Sequence, residues 1–148
     1  MADAASISIT ATMLPDEVAK TVTGSMTVTP VSGDKWYYKL TTVTTTSAAL
    51  IAGGSYFTSD AIATSAGHDT IATGDKIKFL YMKNTDPTNN VYVNQIGAAH
   101  LTSAGSMFLP PGETLIIRSP NTTINTLDAI AQTASCVCMV IALLTDIG

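Results

Sequence analysis

Charge is scarce in this chain. Asp, Glu, Lys and Arg make up 12% of its 148 residues, about half the usual ~25%. The 7 Lys+Arg against 11 Asp+Glu leave a formal net charge of -4. An acidic, charge-poor chain lacks the basic footprint that phosphate backbones require, so nucleic acid is not an expected partner. There are only 2 cysteines, too few for a disulfide framework. The longest apolar run, Cys136 to Leu144, is far short of the ~20 residues of a membrane-spanning helix. Met1-Ala2-Asp3-Ala4-Ala5 has neither the basic region nor the apolar core of a secretory leader. These absences lead to the expectation of a soluble protein, made in a reducing cytoplasm, with no membrane partner.

Catalytic signatures are also missing. The sequence holds no G-x-S-x-G elbow, G-x-G-x-x-G, Walker loop or H-E-x-x-H. The histidines are His68 and His100. His68 and Asp69 are neighbours, which in a strand point to opposite faces, so ordinary loop histidines are the simpler reading than a Ser/His/Asp triad. Cys136-x-Cys138 places both sulfurs on one strand face. A metal would need two further ligands from His68 and His100, so buried thiols are the plainer account. Asn84, Asp86, Asn89 and Asn90 crowd one loop, but a single carboxylate makes a poor Ca²⁺ site and this composition is ordinary turn chemistry. Asn121-Thr122-Thr123 matches a glycosylation sequon by chance. The expectation is a protein that is not an enzyme, with no catalytic residue, no cofactor and no metal.

What the chain has in quantity is strand pattern. Hydrophobic residues are 46%, which excludes the disordered class. Ser6-Ile7-Ser8-Ile9-Thr10-Ala11-Thr12-Met13 alternates, and Leu14-Pro15-Asp16-Glu17 breaks it. Val18 to Thr29 alternates again, with Gly24-Ser25 as a turn or bulge. Pro30 to Asp34 is a turn cluster, and Lys35-Trp36-Tyr37-Tyr38-Lys39-Leu40 an aromatic strand. It runs into five threonines in six residues, Thr41 to Thr46, whose β-branched side chains disfavour helix. Ser47 to Ala52 is open to a short helix or a strand edge. Between Ser55 and Gly74, Tyr56 and Phe57 are expected core anchors, with short strands at Ala61 to Thr64 and Thr70 to Ala72.

In Lys76 to Met82, alternation assigns Ile77, Phe79 and Tyr81 to one face and Lys76, Lys78, Leu80 and Met82 to the other. Val91 to Ile96, Met107 to Leu109 and Thr114 to Arg118 are further strands. Pro110-Pro111-Gly112-Glu113 is a type II turn candidate with Gly112 supplying φ > 0. Ser119 to Thr123 is read as a break, followed by a short strand around Leu127 to Ile130. The fold expected is all-β, an antiparallel, jelly-roll-like β-sandwich with little or no helix. Residues 1–15 form an N-terminal arm or edge strand, and residues 16–148 a single domain.

The last strand sets the functional reading. Cys136, Cys138, Val140, Ala142 and Leu144 line one face, and Val137, Met139, Ile141 and Leu143 the other. Only one face can enter a sandwich core, so the second needs cover, most simply from another subunit. Two spans without any Asp, Glu, Lys or Arg, between Lys39 and Asp60 and between Asp86 and Glu113, allow two readings. They are either extended protein–protein contacts or merely polar β surface. The interface candidates are Val137, Met139, Ile141 and Leu143, with Ile7 and Ile9 in an N-terminal stretch expected to pair with a neighbouring subunit. Trp36, Tyr37 and Tyr38 are candidates for a glycan platform.

The order Phe79-Leu80-Tyr81-Met82-Lys83-Asn84-Thr85, Val91-Tyr92-Val93, Leu109-Pro110-Pro111-Gly112-Glu113-Thr114-Leu115 and Leu127-Asp128-Ala129-Ile130-Ala131 before the final strand resembles that of small structural proteins of tailed bacteriophages. The likeness is in particular to capsid decoration or cement proteins, and it covers roughly the C-terminal half. It implies a virion protein made in the host cytoplasm and bound to the outside of the capsid. Its partners would be the major capsid protein and itself, as a homotrimer clamped over capsomer junctions, often with an extended N-terminal segment. No functional residue carries over from the resemblance. The alternative is a phage tail or fibre-associated module that recognises host glycan through Trp36, Tyr37 or Tyr38.

Overall fold

The computed structural model describes residues 4–13, 20–31, 33–52, 71–97 and 105–145. Ten strands run through them: β1 Ala5–Met13, β2 Lys20–Val28, β3 Asp34–Val43, β4 Ala48–Ala49, β5 Lys76–Asn84, β6 Val91–Asn94, β7 Met107–Leu109, β8 Thr114–Thr123, β9 Asp128–Ala131 and β10 Cys136–Thr145. The helical element among the described residues is a 3-10 turn at Ile124–Thr126. No helix among them is long and apolar enough to cross a membrane. The segments holding Tyr56, Phe57, His68 and His100, and the expected strand at Ala61 to Thr64, lie outside the described residues.

The chain divides into two compact units, Met1–Ser32 and Gly33–Gly148. The expected boundary at residue 15 falls inside the first unit, between β1 and β2. β1 was expected to pair with a neighbouring subunit. Within the chain it pairs with β2, antiparallel from Ala5↔Val28 to Met13↔Lys20. Gly24-Ser25, expected as a turn or bulge, sits inside β2 opposite Ile9 and Ser8.

The second unit is a β-sandwich whose topology follows from one nested set of pairings. β3 pairs with β10, β4 with β9, β5 with β8 and β6 with β7, as in a long hairpin. Two further pairings, β10 with β5 and β9 with β6, roll that hairpin up into two four-stranded sheets, β3-β10-β5-β8 and β4-β9-β6-β7. Two antiparallel sheets with this exchange of strands are a jelly roll. Ser47 to Ala52 resolves as a strand edge, with the Leu50 amide donating to the Leu127 carbonyl at 2.8 Å.

The core lies between the sheets. Tyr37 and Val43 of β3, Leu80 and Met82 of β5, Val91 and Val93 of β6, Ala129 and Ala131 of β9, and Cys136, Cys138, Val140, Ala142 and Leu144 of β10 meet there, with Leu50, Ile51 and Ile71 from the connections. The side assigned to the core from the β10 alternation is the side that fills it. In β5 the expected phase holds only on one side of a bulge. Leu144 pairs with Ile77 while the adjacent Leu143 pairs with Phe79, so Lys78 is an extra residue in the ladder. This bulge turns Ile77 into the core beside Leu80 and Met82 and leaves Phe79 and Tyr81 on the outer face, because a residue inserted into a period-2 pattern inverts everything on one side of it. The expected break at Ser119 to Thr123 is a second irregularity of this kind. β8 continues through it, but its register jumps from Ile77↔Ser119 to Lys76↔Thr123, and the intervening Pro120 needs no ladder donor there.

The Pro110–Glu113 turn closes as expected. Glu113 N–H donates to the Pro110 carbonyl at 3.2 Å, and Gly112 has φ 74. Gly112→Val should cost about 1–3 kcal/mol, since a β-branched residue resists positive φ. It should lower the urea midpoint at unchanged slope. An unchanged midpoint would mean the turn gives way freely.

Candidate functional site

The outward side of the β3-β10-β5-β8 sheet gathers the interface candidates of β10. Directly opposed residues of an antiparallel pair share a face, so the register reads the surface off row by row. Ile141 stands opposite Tyr38 on one side and Tyr81 on the other, and Tyr81 opposite Ile116. Tyr38–Ile141–Tyr81–Ile116 is therefore one apolar row across all four strands. Met139 lies between Leu40 and Lys83, and Leu143 between Trp36 and Phe79. Val137 faces Thr42 at the end of the sheet.

Exposure is graded along this face. Leu143 and Phe79 are buried at 0% and 2%, and the Trp36 ring stands edge-on to Phe79 at 6.5 Å and 76°. Met139, Ile141, Tyr81 and Ile116 are half-buried. Tyr38, Leu40 and Val137 are exposed at 42%, 56% and 43%. Charge is sparse on this face, and Lys83 of β5 lies beside Met139. Asp34, at the end next to Trp36, accepts from Lys78 Nζ at 2.6 Å, and Arg118 sits toward the rim. Four strands at ~4.8 Å spacing and about seven residues at ~3.4 Å rise make a face of roughly 450 Å². Contiguous apolar patches of roughly this size on a monomer are often functional.

The glycan-platform candidates separate. Tyr37 points into the core, where burial pushes its phenol pKa up, whereas Trp36 and Tyr38 share the outer face. Ile9 and Ile7 lie in the first unit, Ile9 exposed at 48% and Ile7 half-buried. Leu40, Tyr81 and Ile116 were not anticipated as members of the surface. Leu40 sat in plain strand alternation without a partner strand to assign its side; Leu115 and Ile117 were assigned to the core, against which they pack, and this leaves Ile116 on the outward side. Tyr81 was grouped with Ile77 and Phe79 on one face, and the Lys78 bulge that sends Ile77 to the opposite side has no signature in the sequence. The second sheet carries a smaller row, Phe108–Tyr92–Ile130, with the Tyr92 and Phe108 rings 5.2 Å apart. It falls partly in the uncharged span between Asp86 and Glu113.

The remaining candidates are structural. Asn84 is fully buried; its Nδ2 donates to the carbonyls of Asn89 (2.8 Å) and Leu109 (3.3 Å), and its Oδ1 accepts from the Asp86 amide (3.0 Å). Asp86 Oδ1 accepts from the amides of Asn89 (2.7 Å) and Thr88 (2.8 Å). These bonds, the Asn89 amide first, hold the Asp86 carboxyl pKa below its ordinary value of 3.8. A lowered folded value means the loop is stabilised above the ordinary carboxylate pKa and loses that stabilisation as pH falls through the folded one. The loop is turn chemistry, its oxygens already engaged by its own donors.

Cys136 and Cys138 are both buried on the inner face. Desolvation, with smaller contributions from Cys136 and Asp86, pushes the Cys138 thiol up to about 12. Among the described residues no three His, Cys, Asp or Glu side chains group as a metal site. A thiol kept protonated and out of water is unreactive, so Ellman's reagent at pH 8 should label neither cysteine until denaturant is added; labelling of the native protein at the rate of free thiol would contradict the buried placement. Comparison with known protein families, with curated proteins and with solved structures gives no match.

Proposed function

We propose that this chain is a structural virion protein, a capsid decoration or cement protein that self-associates and binds the outside of a bacteriophage shell to stabilise it. The observation that carries this reading is the Tyr38–Ile141–Tyr81–Ile116 row. Apolar side chains on all four strands keep part of their surface in water, and each gains a fraction of the roughly 1.5–3 kcal/mol of full burial when a partner covers it. An open strip of this kind is otherwise an aggregation hazard. A second subunit is the simplest cover, and closed symmetry repeats the contact around an axis. The number of copies taken from the phage resemblance is three.

The experiment is mass spectrometry of purified particles from the source, together with light scattering of the isolated protein. The reading expects the chain in fixed stoichiometry to the shell protein and a discrete oligomer at micromolar concentration. Absence from particles, or a stable monomer, would sink it. Tyr38 and Trp36 on the same face favour one second reading, a tail or fibre module for host glycan. Glycan-array binding abolished by Tyr38→Ala would replace the first reading with that one.

A further inference from the structure

The β1–β2 hairpin is two-faced with unusual strictness. Its register places Ser6↔Thr27, Ser8↔Ser25, Thr10↔Thr23 and Thr12↔Thr21 on one side, a face made wholly of hydroxyl side chains. The other side holds Ala5↔Val28, Ile7↔Met26, Ile9↔Gly24 and Ala11↔Val22, and ends at the Met13↔Lys20 pair. Val28 is buried at 1%, but toward the far end Ile9 and Val22 are exposed at 48% and 44%. An isolated two-stranded ribbon is marginal in water, and this one leaves the distal half of its apolar face open.

Gly24 breaks that face in a specific way. Its backbone is not in the left-handed region, so the conformation does not call for glycine. A Cβ built on it would meet nothing within 4 Å, so no packing in this chain calls for glycine either. In a strand interior glycine is a loss that often marks a bulge, a bend or close approach of another group, and the β1–β2 register runs through Gly24 without a bulge. The result is a notch beside a knob, since Gly24 and Ile9 are direct partners at the same height on the ribbon.

We infer that a second copy of this chain fills the notch, with Ile9 of each hairpin inserted over Gly24 of the next. The inference rests on the self-association proposed above and adds a second contact to it. Two observations select a copy of the chain as the occupant. Knob and notch stand level, so rotation about an axis along the ribbon brings each Ile9 onto the neighbouring Gly24 with no shift along that axis, as closed cyclic symmetry requires. Lys20 is the one charged residue of β1 and β2, so the face suits a partner as neutral as itself.

The test is sedimentation equilibrium of the full chain with Gly24→Ile, Ile9→Gly and the double swap. Gly24→Ile has open space in the single chain and raises strand propensity, so the hairpin should fold at least as well, judged by its melting curve. Association should nevertheless weaken by about tenfold or more. The double swap moves the knob to β2 and the notch to β1 and should restore most of the loss. Gly24→Ile with unchanged association, or a double swap no better than the worse single variant, would overturn the inference. If Ile141→Asp dissociates the protein while Gly24→Ile has no effect, the hairpin contact falls and the sheet-face reading stands. If the unaltered chain sediments as a monomer, both fall.

Discussion

Ile141→Asp is expected to convert a discrete oligomer into a folded monomer. Ile141 sits at the centre of the outward row, opposite both Tyr38 and Tyr81, and is half-buried in the single chain. Asp at this position keeps access to water in the monomer, so the sandwich should retain its far-ultraviolet spectrum. In a closed contact the carboxylate would be stripped of water without a partner, at an effective cost of several kcal/mol. Each 1.4 kcal/mol is about tenfold in affinity, so the dissociation constant should rise by roughly a hundredfold or more. Leu143→Asp provides the contrast. Leu143 shares the face but is 0% exposed, so the charge would be buried within the chain itself and the fold should fail first. Light scattering that shows an unchanged oligomer for Ile141→Asp would remove the outer face from the interface.

The second large effect is on stability and concerns Asn84, where β5 ends. Its carboxamide ties three segments: the Asp86 amide and Asn89 carbonyl of the following loop, and the Leu109 carbonyl at the end of β7. Its backbone adds two bonds to the Pro110–Glu113 turn, donating to the Glu113 carbonyl and accepting from the Gly112 amide, each at 3.0 Å. Asn84→Ala keeps the backbone pair and strands the side-chain partners. With ~1–3 kcal/mol for each buried group left unsatisfied, and water reaching some of them, the expected loss is roughly 2–4 kcal/mol. Urea unfolding monitored by Trp36 fluorescence measures it. A loss below ~0.5 kcal/mol, the scatter of ordinary surface substitutions, would show that the rim does not depend on this residue.

Several features of the protein were legible in the residues alone. Threonine-rich alternation, the Pro-Pro-Gly-Glu turn and the two-sided apolar run of β10 are local properties. A period of two, a φ requirement and a count of apolar faces settle them without knowledge of any partner strand. They gave the all-β class, the position of Gly112 and the division of β10 into a core side and an outer side. Strand pairing is not local, and it decided the rest. Only the nested ladder shows that Tyr38, Ile141, Tyr81 and Ile116 form one row, because residues about 100 positions apart become neighbours through β10 and nothing in either segment encodes the other's register.

The Lys78 bulge inverted the predicted face of Ile77 for a related reason. An extra residue is defined by the strand opposite it, and the sequence of β5 on its own reads as unbroken alternation. β1 likewise has a partner in β2 of the same chain, a pairing of short sequence separation that costs little loop-closure entropy. The spacing of hydroxyl and apolar residues in these two strands was visible from the start. That the two patterns combine into one wholly polar face and one apolar face, with Ile9 level with Gly24, was settled by the register that the folded hairpin adopts.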